Sequence, residues 1–324
     1  MITYPFSFNR NTEWYFGGTS ATSNLQYSYN GFDLSATTGP STILPIGVYT
    51  IAYNGDLYLA GGQTNIAATP KIAYSYDGIN WSASTSSATT AQTTVQTIEY
   101  GNGMWIAGGQ VNDRGIYSYD GFNWSANTTL ISAVTLSIQT IRYNGSMWLA
   151  GGNSIFIGYS YDGINWQRTT NNVFNNQIND FEWNGSMWLA GAIGGTGENR
   201  IAYSYDGLIW SAASANTIFT TSVRTIAWNG SMWVAGGEGT NRLGYSYDGI
   251  NWSGSTNGNS AITTRVNAVT WNGSMWIAAG TGAGTPAARA AYSYDGINWT
   301  ALPSSSNFTT WRAIMTIPST KRLN

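Results

Sequence analysis

Three arginines stand out among the residues able to do chemistry. Arg224, Arg265 and Arg312 fall near the start of recurrent apolar, β-rich segments, in a chain with 13 Lys and Arg among 324 residues. A guanidinium is a rigid fork of donors that suits a carboxylate or phosphate. If these segments come together, the three arginines would grip an anionic ligand or acidic glycan, with Tyr49 and Asn267 at equivalent places beside them. The competing reading is solvated polar residues at strand starts, with Arg265 facing away from the other two. A second group, Glu99, Arg142 and Glu182, shares a later position in the same kind of segment. Side by side they would form an ion-pair network, because a buried Arg needs partners. A catalytic reading would make one Glu a general base. A third row, Lys71, Arg114, Arg200, Arg242 and Arg289, has Asp113, Glu198 and Glu238 nearby and reads as surface ion pairs.

Other chemistry is excluded by composition. The chain has no His and no Cys, which removes Ser-His-Asp and Cys-His nucleophilic sites, His bases, disulfides and the usual zinc sites. No metal or cofactor is implied. Net charge is -2, so broad nucleic-acid binding through phosphate neutralisation is not expected. No run approaches the ~18 apolar residues of a membrane helix. The start, Met1 to Arg10, lacks the basic then apolar pattern of a signal peptide, so synthesis in the cytoplasm is expected. Charged residues are 9% and aromatics 15%, a composition that can bury a large core.

The elements that must position these residues are repeats. Tyr-Ser-Tyr-Asp-Gly starts at Tyr74, Tyr117, Tyr159, Tyr203, Tyr245 and Tyr292, and Tyr27-Ser28-Tyr29-Asn30-Gly31 is a degenerate copy. The spacings run from 42 to 47 residues. A second motif precedes each copy, as in Trp228-Asn229-Gly230-Ser231-Met232-Trp233. Each unit reads as four short strands: Val223 to Trp228, an Asn-Gly two-residue turn, Met232 to Ala235, Leu243 to Tyr247, an Asp-Gly turn, and Asn251 to Ser253. One unit cannot hide both of its aromatic faces, whereas seven arranged radially can. The expected fold is all-β, a seven-bladed β-propeller with four antiparallel strands per blade, in a single domain over residues 1–324. The C-terminal segment 308–317 is expected to pair into blade 1 and close the ring, with Thr3 to Phe8 as the competing closure.

Ser75-Tyr76-Asp77-Gly78-Ile79-Asn80-Trp81 resembles an Asp-box, the turn motif of BNR/sialidase-type propellers, in a variant where Gly follows Asp directly. Blade 1 departs furthest, with Asn30 for Asp and Leu34 for Trp. The resemblance implies the propeller fold and structural roles for Asp77, Asp120, Asp162, Asp206, Asp248 and Asp295. These lie one per blade, too far apart to act as an acid–base pair or share a calcium ion. The repeat wording also resembles repeat proteins of large DNA viruses, which implies a virion structural or assembly component as one alternative. Sialidases grip a carboxylate with three arginines, so a sialidase-like hydrolase is another. It would need a Tyr nucleophile with a Glu partner beside the arginines, yet Tyr49 and Asp180 belong to blades 2 and 5, apart from the cluster's centre.

Function therefore falls to the face opposite the uniform turns, where loops such as Gln63 to Pro70, Gly194 to Asn199 and Thr281 to Ala288 differ in every unit. The expected protein is a non-catalytic binding or scaffold propeller. Its ligand, a glycan or a protein, would sit at the channel mouth on that face, and a monomer is the default state.

Overall fold

The computed structural model describes residues 12–20, 23–65, 71–84, 93–110, 114–171, 173–195, 197–282, 289–302 and 308–318. Those residues form seven four-stranded antiparallel units around a ring. Blade 6 is representative, with strands Ser222–Trp228, Trp233–Glu238, Leu243–Ser246 and Ser253–Gly254 from the centre outward. The sheets of blades 2 and 3 also touch through Gln63 and Thr94. Outer strands have only two residues, which leaves little free edge for unwanted pairing.

The ring closes as the C-terminal segment led one to expect. Phe308–Pro318 pairs with Thr12–Ser20, from Thr12 opposite Pro318 to Ser20 opposite Phe308, and supplies the innermost strand of blade 1. The competing segment, Thr3 to Phe8, lies outside the described residues.

Aromatic and aliphatic side chains fill the spaces between blades. Met232 and Val234 of blade 6 pack with Val266, Val269 and Trp276 of blade 7, all nearly inaccessible to water. The Asp-Gly turn locks each outer hairpin to this core. In blade 2, Asp77 Oδ1 accepts from the amides of Ile79 and Asn80 at 2.8 and 2.7 Å, and from Ser75 Oγ at 2.9 Å. Trp81 Nε1 donates to the Gly78 carbonyl at 3.0 Å, which fixes the indole under the turn. Gly has a stereochemical reason to be there: Gly249 has φ +74°, and a Cβ on it would stand 2.6 Å from Met187 Cε.

The Asn-Gly turn differs from the two-residue hairpin expected. In blade 6 the last strand pair is Trp228 with Trp233, which leaves a four-residue loop. Asn229 is not in the left-handed region; its Oδ1 accepts from the amides of Ser231 and Met232 at 2.9 and 2.7 Å, and only Gly230 has positive φ, +99°. The side chain thus replaces the missing backbone turn. Blade 3 alone makes the tight version, with Asn102 at φ 49° and Gly103 at φ 73° between the paired Gly101 and Met104. There Gly101 stands where the other blades have the turn-forming Asn.

Candidate functional site

All seven innermost strands carry a register shift at one equivalent residue: Tyr49, Gln96, Gln139, Asn179, Arg224, Asn267 and Arg312. A bulge adds an unpaired residue and re-aims its side chain. All seven line a central channel of about 560 Å³. The neighbouring Thr positions tie blade to blade: Thr50, Thr97 and Thr225 hydroxyls accept from the amides of Ile98, Ile141 and Val269 in the next blade, at 3.2 to 3.3 Å. Such bonds satisfy the inward edge of the ring, where backbone groups would otherwise meet only channel water.

On the loop face the arginines of blades 6, 7 and 1 come together. Arg224 Nε donates to Glu238 Oε1 at 2.9 Å, and Arg265 Nη1 lies 3.4 Å from the same oxygen. Arg265 and Glu238 stand at the rim, outside the channel lining, so Arg265 does not face away from its neighbour. The Arg312 guanidinium sits over the Tyr49 ring at 4.3 Å. Burial, with the charges of Arg265 and Arg312, lowers the Arg224 pKa from its ordinary value against the opposing pull of Glu238. Arg224 and Arg265 thus share one anion, with the Arg312 charge close by.

Two of the residues expected to face a ligand have other duties. Asn267 Nδ2 donates to the Trp311 carbonyl at 2.7 Å and joins blade 7 to blade 1; Asn179 does the same to Val223 between blades 5 and 6, at 2.8 Å. Tyr49 Oη donates to Gln63 Oε1 at 2.6 Å. The Tyr49 hydroxyl therefore engages an amide, where a tyrosine nucleophile would need a carboxylate.

Deeper in the channel, Arg142 sits among three carboxylates: Glu99 at 3.5 Å, Asp180 at 3.4 Å and Glu182 at 4.0 Å. Its Nε also donates to the Phe181 carbonyl at 3.2 Å. Asp180 was legible on an inner strand but not as a member of this group. It occupies the inter-blade Thr position, and its Oδ2 accepts from the Ile226 amide at 2.9 Å, as the Thr hydroxyls do elsewhere. Aligning that second row would have found it. Burial pushes Glu99 up to about 6 and Glu182 up to about 8, and raises Asp180, despite the Arg142 charge. Three carboxylates around one cation hold a proton more readily than they would in water.

In the row opening the third strands, Arg200 does not ion-pair with Glu198 as expected. Arg200 donates to the carbonyls of Glu198, Gly194, Gly195 and Thr220, not to the Glu198 carboxylate. Arg114 donates to the carbonyls of Ile131 and Val134 at the end of the short helix Thr128–Ala133, and Glu238 is taken by Arg224 and Arg265. These cations close loops by donating to backbone carbonyls. Asp113 lies outside the described residues.

The six turn aspartates stand exposed, each within its own blade. The Asn80 amide, then other donors of the turn, hold Asp77 well below the usual carboxylate range. Against partial burial, the Asn123 amide and side chain bring Asp120 to about 2, and Asp206 is lowered in the same way by its own turn amides.

No protein-family model matches this chain, and no curated protein matches it by sequence. Solved structures similar to it are of low identity and include a WD40 β-propeller domain. YCF48 bound to D1 peptide is 14% identical at a TM-score of 0.55, over 78% of this chain and 81% of that one. The WD40 β-propeller domain of Doa1 is 12% identical at 0.53, over 80% and 84%. The computationally designed Ika8 protein is 11% identical at 0.53, over 81% and 74%. At such identities the likeness establishes the fold, a β-propeller.

Proposed function

We propose that residues 1–324 act as one non-catalytic binding propeller that takes an anionic ligand at the loop-face mouth of its channel. The observation that carries this reading is the convergence of Arg224 and Arg265 on the single carboxylate of Glu238, with the Arg312 charge close by and its guanidinium laid over Tyr49. Excess positive charge at a partly buried rim favours a carboxylate, and bulges on a rigid ring hold the donors in place. An acidic glycan and an acidic protein segment both present that group, and the peptide complex of YCF48 supports the second. A non-catalytic role is supported by the engagement of the Tyr49 hydroxyl with Gln63 and of the channel acids with Arg142. Kinship with the Asp-box propellers is part of the proposal, supported by the Ser-x-Asp-Gly-x-x-Trp hydrogen bonds that recur from blade to blade.

The test is an array of sialylated, uronic and neutral glycans together with acidic peptides, probed with the wild type and with Arg224→Ala/Arg312→Ala. Selective capture of acidic members that the double variant loses is the expected result. Capture of neutral glycans that the double variant retains would move the site to the outer loops and overturn the reading.

A further inference from the structure

The face bearing the uniform turns carries most of the exposed aromatic surface of the described residues. Seven of their exposed large hydrophobic side chains are the second Tyr of the Tyr-Ser-Tyr motif, one per blade, from Tyr29 at 52% to Tyr119 at 69%. Packing does not require them to be there. The first Tyr of each motif is half-buried, and the second leans edge-on against it, as Tyr119 does on Tyr117 at 5.9 Å and 82°. Much of the outer ring is left to solvent. Where blades 2 and 3 meet, Phe122 adds a third ring, 4.8 Å from Tyr74 and 6.5 Å from Tyr76. The exposed Tyr is present in all seven units, even in blade 1, where Asn30 replaces the turn Asp and Leu34 the Trp. A position that is solvent-exposed yet as uniform as the buried Ser and Gly beside it calls for a role outside the fold.

Charge selects what would cover these rings. Asp33 and Asp56 join the six turn aspartates to make eight exposed carboxylates on this face. Among the described residues no Lys or Arg lies in its turns: Arg142 is inside the channel, Arg168 is on an outer strand, and the others sit at or near the loop-face ends of strands. The net charge of -2 thus conceals an acidic, tyrosine-studded face opposite a basic one. Turn aspartates such as Asp77 have both oxygens engaged in their own turn, so they supply field while the rings supply contact. A ring face next to negative charge attracts cations, and a planar guanidinium stacks on it better than an ammonium. Rings of this protein already take guanidinium groups, Arg312 on Tyr49 at 4.3 Å and Arg168 on Phe156 at 4.9 Å.

We propose that the turn face is a multivalent docking surface for an arginine-rich protein segment, with each blade offering one tyrosine ring in the field of its aspartates. Seven weak, equivalent contacts around a rigid ring give avidity that no single blade could supply. The surface is on the opposite side of the ring from the loop-face mouth and does not depend on what binds there.

The experiment titrates fluorescein-labelled nona-arginine and nona-lysine against the full chain at about 50 and about 300 mM NaCl, which shortens the screening length about 2.5-fold. Nona-arginine is expected to bind about fivefold tighter than nona-lysine, and about tenfold weaker at the higher salt. Tyr119→Ser/Tyr161→Ser/Tyr205→Ser should weaken nona-arginine about fivefold or more, and the matching Phe variant, which keeps the rings and their packing, should retain it. Arg224→Ala/Arg312→Ala should leave it unchanged. Equal binding of the two peptides, an unaltered affinity in the Ser variant, or capture of phosphatidylcholine vesicles in place of nona-arginine would overturn the proposal.

Discussion

Replacing Glu182 with Gln should stabilise the protein above neutral pH and leave it unchanged in mild acid. Burial, opposed by Arg142 and reinforced by Asp180 and Glu99, pushes Glu182 up to about 8 from an ordinary value of 4.5. A group whose pKa rises on folding is bound to its proton more tightly in the folded chain. Its stability contribution is complete below about 4.5 and is lost as pH rises through about 8. In a dry site that interval corresponds to roughly 5 kcal/mol. With 29% of the Glu182 side chain open to channel water and Arg142 Nε 4.0 Å away, we discount this to roughly 2 kcal/mol. Glu182→Gln keeps the shape and removes the titration, so its melting temperature should match wild type near pH 5 and exceed it by about 3 °C near pH 9. Differential scanning fluorimetry from about pH 5 to 9 at constant ionic strength reads this directly. Parallel pH profiles for the two proteins, or a variant less stable throughout, would refute the account of a carboxylate whose pKa is raised by burial and, against Arg142, by the neighbouring acids.

Asp120→Ala removes the acceptor of two turn amides and should cost about 1–2 kcal/mol, measured by urea unfolding. Because its folded pKa is depressed to about 2, the stabilisation by Asp120 is present above its ordinary pKa and disappears as pH falls through about 2, so wild type and variant should converge in strong acid. Trp311→Ala takes a buried indole from the closing strand and should cost about 3–5 kcal/mol, seen as a lower melting temperature and faster proteolysis. Asn267→Ala breaks the side-chain tie from blade 7 to the Trp311 carbonyl and should cost about 1 kcal/mol by the same unfolding measurement.

The propeller was legible because a radial repeat has to be written out in the chain. Motifs at spacings of 42 to 47 residues, turn glycines and two aromatic rows define the blades locally, and the match of Trp311 to Met315 to an inner strand identified the closing segment. Turn detail was less legible: the Asn229 side chain competes with the tight hairpin that Asn-Gly favours, and in blade 3 Gly101 removes that competitor. Membership of the inner strands could also be read, which brought Arg224 and Arg312 to one region, and Arg142 to Glu99 and Glu182. Which atoms meet could not. Glu238 holds Arg224 of its own blade and Arg265 across a blade boundary, Asp180 joins Arg142 while bonding the amide of Ile226, and Arg200 turns to carbonyls. The chain determined the blades because strands and turns depend on neighbours in sequence. Only the closed ring decided the partners, because side chains about 40 residues apart find one another through the curvature and bulges of the assembled channel.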